Sequence, residues 1–189
     1  KPDSLAEFLH RLRAAEPDLV LVGGDIAEAT DVVRYLDMLD RHLARPLYFV
    51  LGNHDFYFGS IVRVRDEVRT LCASRSNLIY LTDAGVVELT EHVGLVGHDG
   101  WADARIGNYE RSMIMMNDYK LIAEFAGVSK ERRWPLLQAL GDEAAGVIRQ
   151  DREQVVGILR AEAGQALALA HTVEDRVAEV CDVTQGHLR

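Results

Sequence analysis

Apolar positions in this chain alternate between two periods. From Ser4 to Glu16, Leu5, Phe8, Leu9 and Leu12 recur at the spacing of one helix face. Ser4 and Glu7 form a capping-box pattern that opens this helix, and Pro17-Asp18 closes it. Leu19 to Val22 is an unbroken apolar run too short for a helix, which predicts a buried strand. Gly23-Gly24 then allows a tight turn that exposes Asp25. Helical spacing returns between Asp31 and Leu43, with Val32, Val33, Leu36, Leu39 and Leu43 on one side, and Pro46 ends it. Leu47 to Leu51 predicts a second buried strand. A third helix, Ser60 to Ala73, turns Ile61, Val64, Val68 and Leu71 inward. Strands follow at Asn77 to Leu81, Gly85 to Leu89 and Val93 to Gly97, the last two joined as a hairpin through Glu91-His92.

The order β-α-β-α-β followed by a meander predicts an α/β fold with a mixed sheet, parallel in its early part. Trp101 to Arg111 reads as an irregular surface loop. Asn117 to Phe125 and Lys130 to Arg160 read as mostly helical, with Pro135 tolerated near the start of the second. Gln165 to Ala170 reads as another strand, ending at His171. With no repeat, low-complexity segment or linker, residues 1–189 are expected to form a single domain.

Composition narrows the function. The longest uncharged apolar stretches run to about five residues against the roughly 20 that span a bilayer, so no membrane partner is expected. Cys72 and Cys181 lack metal-type spacing and read as reduced thiols of a cytoplasmic protein. A formal charge of −9 argues against a strong nucleic-acid surface, which needs Lys and Arg. It leaves phosphate chemistry open, because divalent cations can neutralise clustered carboxylates.

In an open α/β sheet, ligands collect beyond the carboxyl ends of the strands. Asp25, Asn53 and His54 all occupy such ends. Asp is a hard oxygen donor able to bridge two cations, and an Asn carbonyl can ligate one. The alternative is that Asp25 and Asn53 cap local backbone as turn residues and that His54 is a loop histidine. Gly23-Gly24-Asp25 and Gly52-Asn53-His54-Asp55, each closing an apolar strand, resemble the GD and GNH[DE] motifs of the calcineurin-like metallophosphoesterases.

That resemblance implies two packed mixed β-sheets flanked by helices, an α-β-β-α sandwich. It also implies metal-dependent hydrolysis of a phosphomonoester or phosphodiester by a metal-activated hydroxide. By the same likeness Asp25 bridges two metal ions, Mn2+, Fe2+/Fe3+ or Zn2+. Asn53 ligates the second and touches the phosphorylated substrate. His54 stabilises the transition state or protonates the leaving group, and Asp55 orients the imidazole. The family's opening Asp-x-His has no counterpart before Ser4: Asp3 stands alone and His10 falls in a helix. The resemblance therefore implies a domain incomplete at its N-terminus, with a catalytically incomplete binding or scaffolding module as the alternative. Downstream, His171 and His187 are the nearest matches to the family's remaining ligands of the second metal.

The Asp99-Gly100-Trp101 segment and Arg105 offer one wall of a substrate cleft, Arg105 as a phosphate contact, or else a structural loop with Trp101 packed inward. His98 reads as incidental. Met113 to Met116 reads as core packing at a helix entry, with an apolar binding surface as the alternative. Glu131-Arg132-Arg133 and Asp142-Glu143 read as solvated helix faces.

Overall fold

The computed structural model describes residues 2–162, so the strand expected at 165–170, His171, Cys181 and His187 lie outside the described residues. The chain divides into two units, one formed by Lys1–Gly85 with Val96–Ile148 and the other by Val86–Leu95 with Arg149–Arg189.

In the first unit the helical spacings become helices with the anticipated faces. Helix α1 runs Pro2–Ala14, so it starts at a proline ahead of the capping box read at Ser4. Helix α2, Val32–Leu43, buries Val32, Leu36, Leu39 and Leu43, and Ala44 closes it in a left-handed conformation. Helix α3, Ile61–Ala73, is capped by the Ser60 side chain, which accepts the Arg63 N–H, and buries Ile61, Val64 and Val68. Each such side chain removed from water stabilises the fold by about 1.5–3 kcal/mol.

Between these helices lie three parallel strands, β1 (Val20–Val22), β2 (Leu47–Phe49) and β3 (Leu78–Tyr80), in the order β1-β2-β3. Val22 pairs with Phe49, and Phe49 with Tyr80. Strands β2 and β3 each bury their first and last residues. Among the described residues β1 is an edge strand and leaves Leu21 56% exposed, which corrects the reading of 19–22 as a buried strand. The core gathers Leu9 of α1, the α2 and α3 faces, Leu47, Phe49, Leu51 and Phe56.

After a short helix α4, Leu81–Ala84, the chain passes to the second unit. There β4 (Val87–Thr90) and β5 (Val93–Leu95) form the expected antiparallel hairpin through Glu91-His92. Parallel and antiparallel strands thus lie in separate sheets among the described residues, where one mixed sheet was expected.

Back in the first unit, residues 98–117 are irregular. Only a short helix α5, Asp118–Leu121, forms within the stretch read as helical to Phe125. It is pinned to the 56–59 turn by Phe58 N–H to Leu121 O at 2.8 Å and Ala123 N–H to Gly59 O at 2.9 Å. Ile122 and Phe125, both fully buried, anchor it to the core. Helix α6, Lys130–Glu162, contains Pro135 as expected.

Candidate functional site

Strands β1 and β2 are neighbours running the same way, so the turns that follow them emerge side by side. Glycine permits their approach. A Cβ on Gly24 would lie 2.5 Å from the Gly52 nitrogen, and Gly24 has φ +95°, open to glycine at little cost. A Cβ on Gly52 would run into the Asp25 carboxylate. Asp25 itself holds φ +53°, a left-handed conformation uncommon for a residue with a side chain. Its Oδ1 accepts the backbone N–H of His54 at 3.2 Å. Asp25 therefore reaches across to the second turn instead of capping its own.

A 3₁₀ turn, His54–Phe56, follows Asn53. Asn53 Nδ2 donates to Asp118 Oδ1 at 2.9 Å and to the Tyr57 hydroxyl at 3.2 Å, and that hydroxyl donates to the same Asp118 oxygen at 2.7 Å. Burial first, and the Asp118 carboxylate second, push the Tyr57 phenol well above its ordinary range. The exposed His54 ring stacks on the Tyr57 ring at 4.5 Å between centroids.

Asp55 has a different place from the one expected of it. Its side chain is fully buried, with Oδ1 accepting the Ala27 N–H at 2.8 Å and Oδ2 the Gly52 N–H at 2.8 Å. No hydrogen bond to the His54 imidazole is among its contacts. Two backbone amides already hold its oxygens, so the carboxylate staples the turn after β1 to the turn after β2. Burial raises its pKa, and the amides at Ala27 and Gly52 oppose that rise.

Asp99, read as part of a cleft wall, is a buried hub. Its Oδ1 accepts Leu51 N–H at 2.8 Å and Thr82 Oγ1 at 2.9 Å, while Oδ2 accepts Arg65 Nε at 2.9 Å and the Tyr80 hydroxyl. It thereby ties the end of β2 to α3, to Tyr80 at the end of β3 and to Thr82 at the start of α4. Trp101 packs inward between Phe56 and Phe125, with centroids at 6.1 and 5.4 Å. His98 is not incidental. Its Nδ1 accepts the Gly100 N–H at 3.0 Å, its Nε2 lies 3.8 Å from Glu143, and burial depresses its pKa.

Arg105 stands apart from this arrangement. Its guanidinium is forked onto Asp142 at 2.7 and 2.8 Å and also reaches Asp103 at 2.8 Å. A phosphate would have to displace a bidentate carboxylate to reach it. Asp142 and Glu143 are exposed, as the reading of a solvated face expects, and each also pairs with an arginine, Glu143 with Arg65 at 2.9 Å. Arg133, by contrast, is buried, over the Tyr119 ring at 4.0 Å. Met113 to Met116, expected in the core, are exposed, Met113 almost wholly.

The sequence profile described as calcineurin-like phosphoesterase matches residues 1–174. The chain belongs to the calcineurin-like phosphoesterase family. Neither the comparison with curated proteins nor that with solved structures finds a significant match. Membership carries the α/β fold, phosphoester hydrolysis as the reaction class and divalent metals as the usual cofactors. No helix among the described residues is long and apolar enough to cross a membrane.

The donor chemistry fits a hard divalent cation at this calcineurin-like site in part. Asp25 offers a carboxylate, and Asn53, with its nitrogen engaged, offers a carbonyl oxygen. Among the described residues no group of three or more His, Cys, Asp or Glu side chains is placed to hold a metal ion. His171 and His187 lie outside those residues. Asp118 and its bond to Tyr57 escape a reading of motifs because its partners lie 61 to 65 residues away, and the hub role of Asp99, read only as part of a cleft wall, depends on partners 17 to 48 residues away.

Proposed function

We propose that the chain is a metal-dependent phosphoesterase whose reaction centre is built by Asp25, Asn53 and His54. The observation that carries this reading is the joining of two strand-end turns, in which Asp25 Oδ1 accepts the His54 N–H at 3.2 Å. That contact brings an oxygen-donor carboxylate against the backbone of the residue that carries an exposed imidazole, at the carboxyl edge of a parallel sheet, where such folds bind ligands.

Asp25 and the Asn53 carbonyl would hold the cation, and a divalent ion bound there supplies Lewis-acid stabilisation of phosphoryl charge. Manganese is the first ion to try. The rest of the work belongs to the chain. Water attacks phosphorus and gives up a proton to solvent, the bond from phosphorus to the leaving oxygen breaks, His54 delivers a proton to that oxygen, and solvent returns a proton to His54. Tyr57 supports the ring from one face, so the imidazole meets the substrate with few rotamers to lose. Asp55 serves the same reaction indirectly, by keeping the two turns in register through Ala27 and Gly52.

The test is hydrolysis of an aryl phosphate and an aryl phosphodiester with added Mn2+, wild type against His54→Ala. Loss of a proton donor of this kind lowers kcat by about 10²–10⁴-fold. Equal rates in the two proteins, or no hydrolysis by the wild type with any divalent ion, would overturn the reading.

A further inference from the structure

We propose that Asp118 is the positioning residue of this centre, holding the Asn53 amide in the one orientation that turns its carbonyl oxygen outward. The inference rests on the phosphoesterase reading for its purpose, though not for its geometry. Asp118 is only 4% exposed and lies at the start of α5, 65 residues from Asn53. It is carried there by the backbone bonds that join Phe58 to Leu121 and Gly59 to Ala123, and by the buried Ile122 and Phe125.

An ionised carboxylate has acceptors and no donor. Only the NH2 end of the Asn53 amide can therefore face it, which settles an orientation that an amide beside a neutral hydroxyl would leave open. Asp118 Oδ1 takes both the Asn53 Nδ2 bond at 2.9 Å and the Tyr57 hydroxyl bond at 2.7 Å, and Asn53 Nδ2 also donates to the Tyr57 oxygen at 3.2 Å. The three groups close a triangle. Asn53 Oδ1 is left with no hydrogen bond among the described residues. A half-turn of the amide would present NH2 to a cation, so the triangle is what keeps Asn53 a ligand. Through the Tyr57 hydroxyl the same carboxylate also steadies the ring against which His54 stacks. One buried acid thus serves both the metal-binding amide and the acid–base imidazole.

Because a single oxygen accepts both donors, Asp118→Asn can keep the triangle through its own carbonyl, whereas Asp118→Ala cannot. The full chain and both variants are compared by thermal melting, by Mn2+ titration without substrate, and by the Asn53 side-chain NH2 resonances in 15N-labelled protein. Outer-shell substitutions typically weaken metal binding by about 10–100-fold. The expected result is such a loss in a folded Asp118→Ala, with Asp118→Asn remaining near wild type in Mn2+ affinity. The Asn53 NH2 resonances should move upfield in Asp118→Asn as the charge-assisted bond weakens. Wild-type Mn2+ affinity in a folded Asp118→Ala would overturn the proposal. If Asp118→Ala does not fold, unchanged Asn53 resonances in Asp118→Asn would do the same. A wild type that binds no Mn2+ would remove the phosphoesterase reading, while a shifted Asn53 resonance would still uphold the clamp.

Discussion

The turn at 52–57 and the loop at 103–116 both mix polar and large apolar side chains, but they are held in opposite ways. Buried carboxylates grip the first from three directions: Asp99 at Leu51, Asp55 at Gly52 and Ala27, and Asp118 at Asn53 and Tyr57. The second is held by an exposed ion pair, Arg105 with Asp142, and by Lys130 Nζ donating to the carbonyls of Glu110 and Ser112 at 2.8 and 2.7 Å. Its large apolar residues, Ile106 and Met113 to Met115, face solvent. A hydrogen bond to a buried charge is strong and costly to break, whereas an exposed pair competes with water and salt. The difference teaches that a short motif depends on acids outside it, Asp99 and Asp118, as well as on its own Asp55. The arginine that looked most like a phosphate contact belongs to the weakly held loop.

The most severe way to break this contrast is Asp99→Ala. It deletes the acceptor for Leu51, Thr82, Tyr80 and Arg65 together, and leaves the Arg65 guanidinium, 10% exposed, with only the half-exposed Glu143 as counter-charge. Removing one partner of a buried pair costs about 3–5 kcal/mol, and equilibrium urea unfolding should show a loss in that range. A loss no larger than that of an average surface substitution would mean that the hub does not hold the turn.

A middle-sized effect concerns pH. Burial depresses the His98 imidazole below its ordinary 6.5, so the folded chain prefers the neutral ring. The unfolded chain takes up the proton first as pH falls. This contribution to stability is therefore complete above pH 6.5 and is lost as pH drops through the lower folded-state value. His98→Asn keeps an acceptor for the Gly100 N–H but cannot titrate. Melting temperatures of the two proteins between pH 7.5 and pH 5, values chosen to bracket the window of about one unit either side of a free histidine, should converge at the acid end. Parallel curves would remove His98 from the acid sensitivity.

The smallest effects belong to the loop at 103–116. Arg105→Ala and Met113→Ser should leave the melting temperature within the reproducibility of the measurement, because each touches mainly water or an exposed partner. A tenfold fall in kcat/KM for Arg105→Ala, about 1.4 kcal/mol of transition-state binding, would return that residue to the substrate site.

Periodicity by itself determined the helices at 31–43 and 60–73, most of their buried faces and the hairpin, because each rests on spacing within about a dozen residues, and the succession of strand and helix implied that the first strands run parallel. It also determined that Asp25, Asn53 and His54 stand at strand ends, since glycine-bearing turns after apolar runs leave few other places for them. Only the tertiary structure decided what those residues touch. Asp55 turned from the imidazole's partner into a staple between two backbones, and Asp118 joined the site from a segment that local pattern marked as ordinary helix. The Met113 to Met116 run went to the surface although its composition suits a core. The physical reason is common to all three. Hydrophobic spacing is written locally, but the partner of a buried charge and the covering of an apolar loop depend on which distant segment the fold brings alongside.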